Sequence, residues 1–306
     1  MGSSTLLLGL DVGGSRTRLR GERSDEGESI EREGPGANPN RVGEETAVSR
    51  LSALVDAALA EREGIERLVL AAGISGAGSP SVQSHLAEAL DTALARPGLR
   101  VHVEVVHDGI IALDAAYDTS SGVIVIAGTG SLVLARTHDG TIVRAGGWGP
   151  QLGDDGSGHA LGRAGLRAVA EALDGGRDTT LRDRVFDAFA LNDRTDFLQT
   201  AHTDALALPD VAPIVVAAAR ADDSVAARIL HEQVSALARQ LDWLKARTTN
   251  VASRLTVLGG LTTNEHYDQA LRDALRDCEP DGSIQRLESP PVLGALRRAR
   301  RLVPEP

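Results

Sequence analysis

Short runs of apolar and β-branched residues alternate along this chain with longer stretches in which Ala and Leu recur at helical spacing. The pattern predicts strands at 5–12, 16–22, 67–72, 101–106, 122–127, 131–136, 141–145 and 254–258. It predicts helices at 41–62, 80–95, 109–116, 157–173, 209–220, 223–247, 265–277 and 291–302. Apolar strands joined by crossover helices make an α/β fold. Composition agrees: 42% of the 306 residues are hydrophobic and only 2% aromatic, so the core must be aliphatic, as in helix-covered sheets.

Two segments share a plan. Leu6-Leu-Leu-Gly-Leu-Asp-Val-Gly-Gly-Ser-Arg-Thr-Arg-Leu19 and Ile124-Val-Ile-Ala-Gly-Thr-Gly-Ser-Leu-Val-Leu134 both read strand, glycine turn with hydroxyls, strand. A tight glycine turn presents consecutive backbone N–H groups with little steric cover, which suits an anion such as phosphate. Taken singly, each also reads as an ordinary hairpin. In the first, Asp11 ends a strand just before Gly13, Gly14, Ser15 and Thr17, where a carboxylate can hold hydrated Mg²⁺ or simply begin a turn. The second turn, Gly128-Thr129-Gly130-Ser131, stands in the matching place.

Three further motifs carry chemistry. Val105-Val106-His107-Asp108-Gly109 ends an apolar strand in a carboxylate as a helix begins. Asp108 reads locally as an N-cap, and alternatively as a base that accepts a hydroxyl proton during phosphoryl transfer. Ala145 to Gly158 packs six glycines and a proline around Trp148, Asp154 and Asp155, which demands a shaped loop. An aromatic face beside carboxylates and free amides suits a sugar, although a turn around a buried Trp also fits. Leu255 to Thr262 is a strand ending in Gly259-Gly260, whose bare backbone can lie against a flat ring such as adenine, a feature common in α/β proteins generally.

Charge and cysteine count narrow the classes. A net charge of −11 opposes nucleic-acid and anionic-membrane surfaces. The cluster Arg297, Arg298, Arg300 and Arg301 reads as a solvated helix end. Cys278 stands alone, which excludes an internal disulfide, an iron–sulfur cluster and a structural zinc within one chain. The apolar run Thr5 to Val12 is too short to span a bilayer and lacks a cleavage-like site, so a cytoplasmic location is expected.

In this order these residues resemble the acetate-kinase, sugar-kinase, Hsp70 and actin superfamily, and within it the N-acetylglucosamine kinase branch of the BadF/BadG/BcrA/BcrD group. The resemblance runs from Asp11 to Pro290-Pro-Val-Leu-Gly-Ala-Leu-Arg297 and is most specific at Gly146-Gly-Trp-Gly-Pro-Gln-Leu-Gly-Asp-Asp-Gly-Ser-Gly158. It implies two ribonuclease-H-like lobes of the actin-like ATPase fold with a central cleft. Residues 1–108 with the C-terminal helix 289–306 would form one lobe and 109–288 the other. It implies ATP and Mg²⁺, with Gly13, Gly14, Ser15, Thr17, Gly128, Thr129, Gly130 and Ser131 on the phosphates and Asp11 toward the metal. Gly259, Gly260 and Ala219 would meet the adenosine. Asn38, Ser75, Gly76, Gly147, Trp148 and Asp154 would meet the sugar, with Asp108 as base. The branch often has Asn-Asp-Ala where this chain has His107-Asp108-Gly109, and Asp-Glu for Asp154-Asp155.

The expected activity is ATP-dependent phosphorylation of N-acetylglucosamine on its 6-hydroxyl by a homodimer without nucleic-acid or membrane partners. Glucosamine, glucose or N-acetylmannosamine are alternative acceptors. An ATPase activator of a reductase would need two cluster-binding cysteines per subunit, and the zinc-containing, repressor-related sugar kinases need a cysteine cluster; Cys278 supplies neither. A non-catalytic sugar sensor is opposed by Asp108 and by both glycine turns.

Overall fold

The computed structural model describes residues 4–24, 29–203 and 206–303. In chain order the elements begin with β1 (Ser4–Val12), β2 (Arg16–Arg23), β3 (Ser29–Pro35), α1 (Pro39–Val42), α2 (Glu44–Ala60), β4 (Ile65–Ile74), α3 (Pro80–Leu94), β5 (Arg100–His107) and α4 (Asp108–Tyr117). There follow β6 (Gly122–Ala127), β7 (Ser131–Arg136), β8 (Ile142–Gly146), α5 (Gly158–Leu173), α6 (Leu181–Ala188), α7 (Arg194–Ala201), α8 (Leu208–Arg220) and α9 (Ser224–Arg247). The chain ends with β9 (Arg254–Leu258), a 3-10 turn at Gly260–Thr263, α10 (Glu265–Cys278), β10 (Ser283–Arg286) and α11 (Pro291–Arg301).

Two compact units result: Met1–Thr119 with Leu287–Pro306, and Ser120–Arg286. The helix that begins at Asp108 packs within the first unit, so this division falls after Thr119. Each unit holds a five-stranded mixed sheet, ordered β3-β2-β1-β4-β5 in the first and β10-β9-β6-β7-β8 in the second. In each, the first three strands run antiparallel as a meander and the last two join parallel to the first. Read from its first strand, the second order is the first one repeated. The echo between the segments at Leu6 and Ile124 therefore marks equivalent hairpins of a duplicated α/β unit.

In the first unit β1 is central and buried on both faces, so its side chains split by the strand period. Leu6, Leu8 and Leu10 meet Leu51 and Val55 of α2 and Leu86 and Leu90 of α3 on one face. Leu7 lies on the other face with Val69, Ala71 and residues Leu296 and Ala299 of α11. α11 comes so near that a side chain at Gly9 would overlap the Leu296 backbone, and one at Gly294 would overlap the Ile111 carbonyl of α4. The motif Pro290 to Leu296 thus closes the first sheet with small residues at helix crossings.

The arginines of α11 correct the expectation of a solvated helix end. Arg298 pairs with Glu104 at 2.6 Å and with Asp114 at 3.2 Å; Arg301 pairs with Asp114 at 2.9 Å. Arg297 donates to the Asp114 and Ala115 carbonyls and Arg300 pairs with Glu22 at 2.6 Å. Asp114 is fully buried, so these guanidiniums hold the helix to the unit.

In the second unit, Val123, Val125, Val133, Ala135, Leu255 and Val257 of the sheet pack with the apolar faces of α5, α8, α9 and α10 in one aliphatic core. Among the described residues no helix is long and apolar enough to cross a membrane.

Candidate active site

The first unit gathers its polar residues where its parallel strands end. Val12, Ile74 and His107 are in register across β1, β4 and β5. Asp11, Ser75 and Asp108 therefore share one sheet edge, where α/β sheets take their ligands. The Ser75 N–H donates to the Val12 carbonyl at 2.9 Å, and Asn38 Nδ2 donates to Ser75 Oγ at 3.3 Å. A side chain at Gly76, where φ is +96°, would lie 2.6 Å from Asn38 Oδ1, so only glycine leaves the Asn38 amide in place. The resemblance's sugar residues Asn38, Ser75 and Gly76 thus form one cluster beside Asp11 and Asp108.

His107 is the N-cap residue of α4, and the Gly109 N–H donates both to its Nδ1 at 3.0 Å and to Asp108 Oδ1 at 2.8 Å. Asp108 is the first helical residue, its side chain one-third exposed and Oδ1 3.0 Å from His107 Nδ1. Asp108 thus satisfies a backbone donor at the helix start, as its local reading expects, and shares that donor with His107. Asp11 is half-buried, and this burial followed by the Asp108 charge pushes its pKa up to about 6 against the opposing pull of Arg18 and Arg16. Both arginines are shared with Glu33, at 3.4 and 3.6 Å.

Each glycine turn is closed by the N–H of its first residue, the first as a four-residue loop and the second as a three-residue loop. Gly13 N–H closes the first by donating to the Arg16 carbonyl at 3.0 Å, and Gly128 N–H closes the second by donating to the Gly130 carbonyl at 2.9 Å. The next two N–H groups in each, on Gly14 and Ser15 and on Thr129 and Gly130, have no acceptor among the described residues. Such pairs are nests for oxyanions. Two hydroxyls of these turns face the scaffold. Buried Thr17 donates to the Pro35 carbonyl at 2.9 Å, and buried Ser131 donates to the Asp155 carbonyl at 2.7 Å.

In the second unit the turn rests on the start of α5, where Gly158 N–H donates to the Gly128 carbonyl at 2.8 Å and His159 Nδ1 lies 2.7 Å from the Thr129 carbonyl. The turn also meets the Gly259-Gly260 backbone: a side chain at Gly259, where φ is +114°, would overlap the Ala127 carbonyl, and one at Gly128 would lie 3.6 Å from the Gly260 nitrogen. Asp154 approaches the same turn, because a side chain at Gly130 would lie 2.8 Å from Asp154 Oδ2. Its Oδ1 accepts the Gly149 N–H at 3.2 Å, and burial raises its pKa. Asp154 adopts φ +60°, a strained conformation for a residue with a side chain. Ala219 stands apart, packed in the core along α8.

Trp148 is 65% exposed, which removes the reading of a turn built around a buried indole. Arg144 lies over its ring, 5.7 Å from the centroid. Residues not foreseen hold this loop. Gln233 and Gln240 on α9 accept from Gly156 N–H at 3.1 Å and donate to Asp155 at 3.3 Å, respectively. Tyr267 donates to the Gly156 carbonyl at 2.5 Å, and Arg163 donates to that of Pro150. Gln240 carried a legible signal, a polar residue on the face that buries Leu237, Leu241 and Leu244.

Magnesium fits these donors. It takes hard oxygen ligands, keeps most of its waters and needs only one or two protein carboxylates. Asp11, with Asp108 beside it, supplies that much, and among the described residues no group of three or more His, Cys, Asp or Glu side chains could cage a metal.

Known proteins share both the sequence and the fold. The chain is 28% identical over 274 residues to the N-acetylmuramic acid/N-acetylglucosamine kinase of Clostridium acetobutylicum, covering 85% of this chain and 87% of that one. It is 27% identical over 254 residues to the N-acetyl-D-glucosamine kinase of Dictyostelium discoideum, covering 77% of each. A structural-genomics target from Chromobacterium violaceum has the same fold, with TM-score 0.74, 24% identity and 97% and 99% of the two chains covered. A glucokinase of the ROK family from Streptomyces griseus, solved with glucose and AMPPNP, matches with TM-score 0.57 at 18% identity over 97% and 98%. The model of the BadF/BadG/BcrA/BcrD ATPase family matches residues 8–296, and the chain belongs to that family.

Proposed function

We propose that the protein transfers the γ-phosphoryl group of ATP to the 6-hydroxyl of N-acetylglucosamine. The repeated nest carries this reading: hairpin turns at equivalent places of a duplicated sheet each offer two backbone N–H groups that have no acceptor among the described residues, the donors that phosphate oxygens take. The names of the two curated relatives support the amino sugar as acceptor.

Asp108 is the base. As O6 bonds to the γ-phosphorus, its proton passes to the Asp108 carboxylate, and the bond from that phosphorus to the β,γ-bridging oxygen breaks with its electrons leaving on ADP. Asn38 and Asp154 bind and orient sugar hydroxyls, and Trp148 offers an apolar face. The turns at Gly13–Ser15 and Gly128–Gly130 hold phosphate oxygens, and the Gly259-Gly260 backbone lies against adenine. Asp11 would hold Mg²⁺ through water, and the metal when bound neutralises charge on the β- and γ-phosphates. The working enzyme is a cytoplasmic homodimer.

An ADP-release assay with Mg·ATP and a panel of N-acetylglucosamine, glucosamine, glucose, N-acetylmannosamine and N-acetylmuramic acid tests this. N-acetylglucosamine should give the highest kcat/KM, with phosphate on O6 by NMR. No ADP release above the sugar-free rate for any member would sink the kinase reading.

A further inference from the structure

We propose that Arg41 contacts the phosphoryl group in transit, binding the γ-phosphate of ATP together with the first glycine turn; this rests on the kinase reading above. Arg41 lies in α1, three residues after Asn38. That helix is pinned by its ends: Asn38 Oδ1 accepts the Asn40 N–H at 2.9 Å, and Gly43 N–H donates to the Pro39 carbonyl at 3.0 Å. The segment leading into it is laid onto the turn. Ala37 N–H donates to the Gly13 carbonyl at 3.2 Å, and a side chain at Gly36 would overlap the Gly14 carbonyl.

The result is a guanidinium resting on the bare α-carbon of Gly14. A methyl group there would lie 2.8 Å from Arg41 Nη1 and 3.1 Å from Cδ, so any other residue at position 14 would displace the arginine. Among the described residues Arg41 has no ion pair and no side-chain hydrogen bond, whereas neighbouring Arg16 and Arg18 share Glu33 and Arg50 donates to the Gly36 carbonyl. An exposed arginine is most often merely solvated, but here the unpaired cation faces the turn whose Gly14 and Ser15 N–H groups also lack acceptors. Backbone donors with a planar fork beside them match the oxygens of a tetrahedral phosphate. The position selects the γ-phosphate, because Arg41 shares its segment with Asn38, on the acceptor side of the reaction.

Calorimetry with Mg·ADP and Mg·AMPPNP on the wild type, Arg41→Ala and Arg41→Lys, joined to steady-state kinetics, tests this. Arg41→Ala should weaken AMPPNP binding about ten- to hundred-fold and leave ADP within about twofold, the scale of lost charge-assisted hydrogen bonds. It should lower kcat at least about tenfold with KM for N-acetylglucosamine little changed, and Arg41→Lys should recover part of both. Equal loss for ADP and AMPPNP, no loss for either, or an effect confined to KM for a sugar bearing a carboxylate would overturn the assignment. Should the wild type bind AMPPNP but phosphorylate no sugar, the kinase reading fails while the nucleotide comparison still decides Arg41. A wild type that binds no AMPPNP overturns both.

Discussion

Asp11 and Asp108 stand at the same edge of one sheet, and the charge of Asp108 adds to burial in holding the Asp11 carboxyl partly protonated near pH 6. Ionising an acid so placed is unfavourable in the folded protein unless something positive arrives, which suits the place proposed for Asp11 beside a cation.

The sign of its effect on stability follows. The folded pKa is raised above the ordinary carboxyl value of 3.8, so the contribution of Asp11 is fully present below about pH 4 and is lost as pH rises through 6. The loss is on the order of 3 kcal/mol without metal. Asp11→Asn should therefore melt higher than the wild type at pH 7.5, with the gap closing toward pH 4, and should lose Mg²⁺-dependent activity. Melting curves across that range that superimpose for the two proteins would contradict the account.

Asp108→Asn keeps the shape of α4, because His107 caps the helix. We expect turnover to fall by about 10²- to 10⁴-fold, with sugar KM within a few-fold of wild type and no loss of melting temperature. Near-normal turnover in single-turnover measurements would remove Asp108 from the role of base.

Trp148 is exposed and its loop is braced from α9, so recognition and stability should separate there. Trp148→Ala should raise sugar KM roughly tenfold or more with ATP KM and melting temperature little altered. Gln240→Leu should raise sugar KM too, through lost orientation of the loop, and should lower stability by about 1–3 kcal/mol because Asp155 loses its donor. A rise in ATP KM alone would assign the loop to the nucleotide instead.

Arg298 bridges Glu104 and fully buried Asp114. Removing it takes one of two guanidiniums from a buried carboxylate and this partner from Glu104, so Arg298→Ala should cost about 1.5–3 kcal/mol in urea unfolding. A loss below about 1 kcal/mol would mean that the partners left to Asp114, Arg301 among them, satisfy it.

The central strands were legible because they are apolar on both faces: β1, β4, β6 and β9 each stand out as buried runs in the sequence. The edge strands β3 and β10 were not, unlike the edge strands β5 and β8. β3 buries only Ile30 and is otherwise Ser, Glu, Arg, Gly and Pro, and β10 is four residues with none fully buried. An edge strand has a partner on one side only, and polar residues there discourage further pairing, so its composition resembles a loop. The short, charged α6 and α7 were missed for a similar reason, since each buries few residues.

What the sequence by itself determined is the class of fold and the order of its chemistry, because glycine turns, strand-end carboxylates and apolar periods are local properties of the chain. Tertiary structure alone decided which of those groups are free. It turned the Thr17 and Ser131 hydroxyls toward backbone carbonyls, shared the donor at the start of α4 between His107 and Asp108, and laid Arg41 on Gly14. The physical reason is that a side chain's partner is set by whichever donor or acceptor packing brings within about 3 Å, and residues distant in the chain supply it.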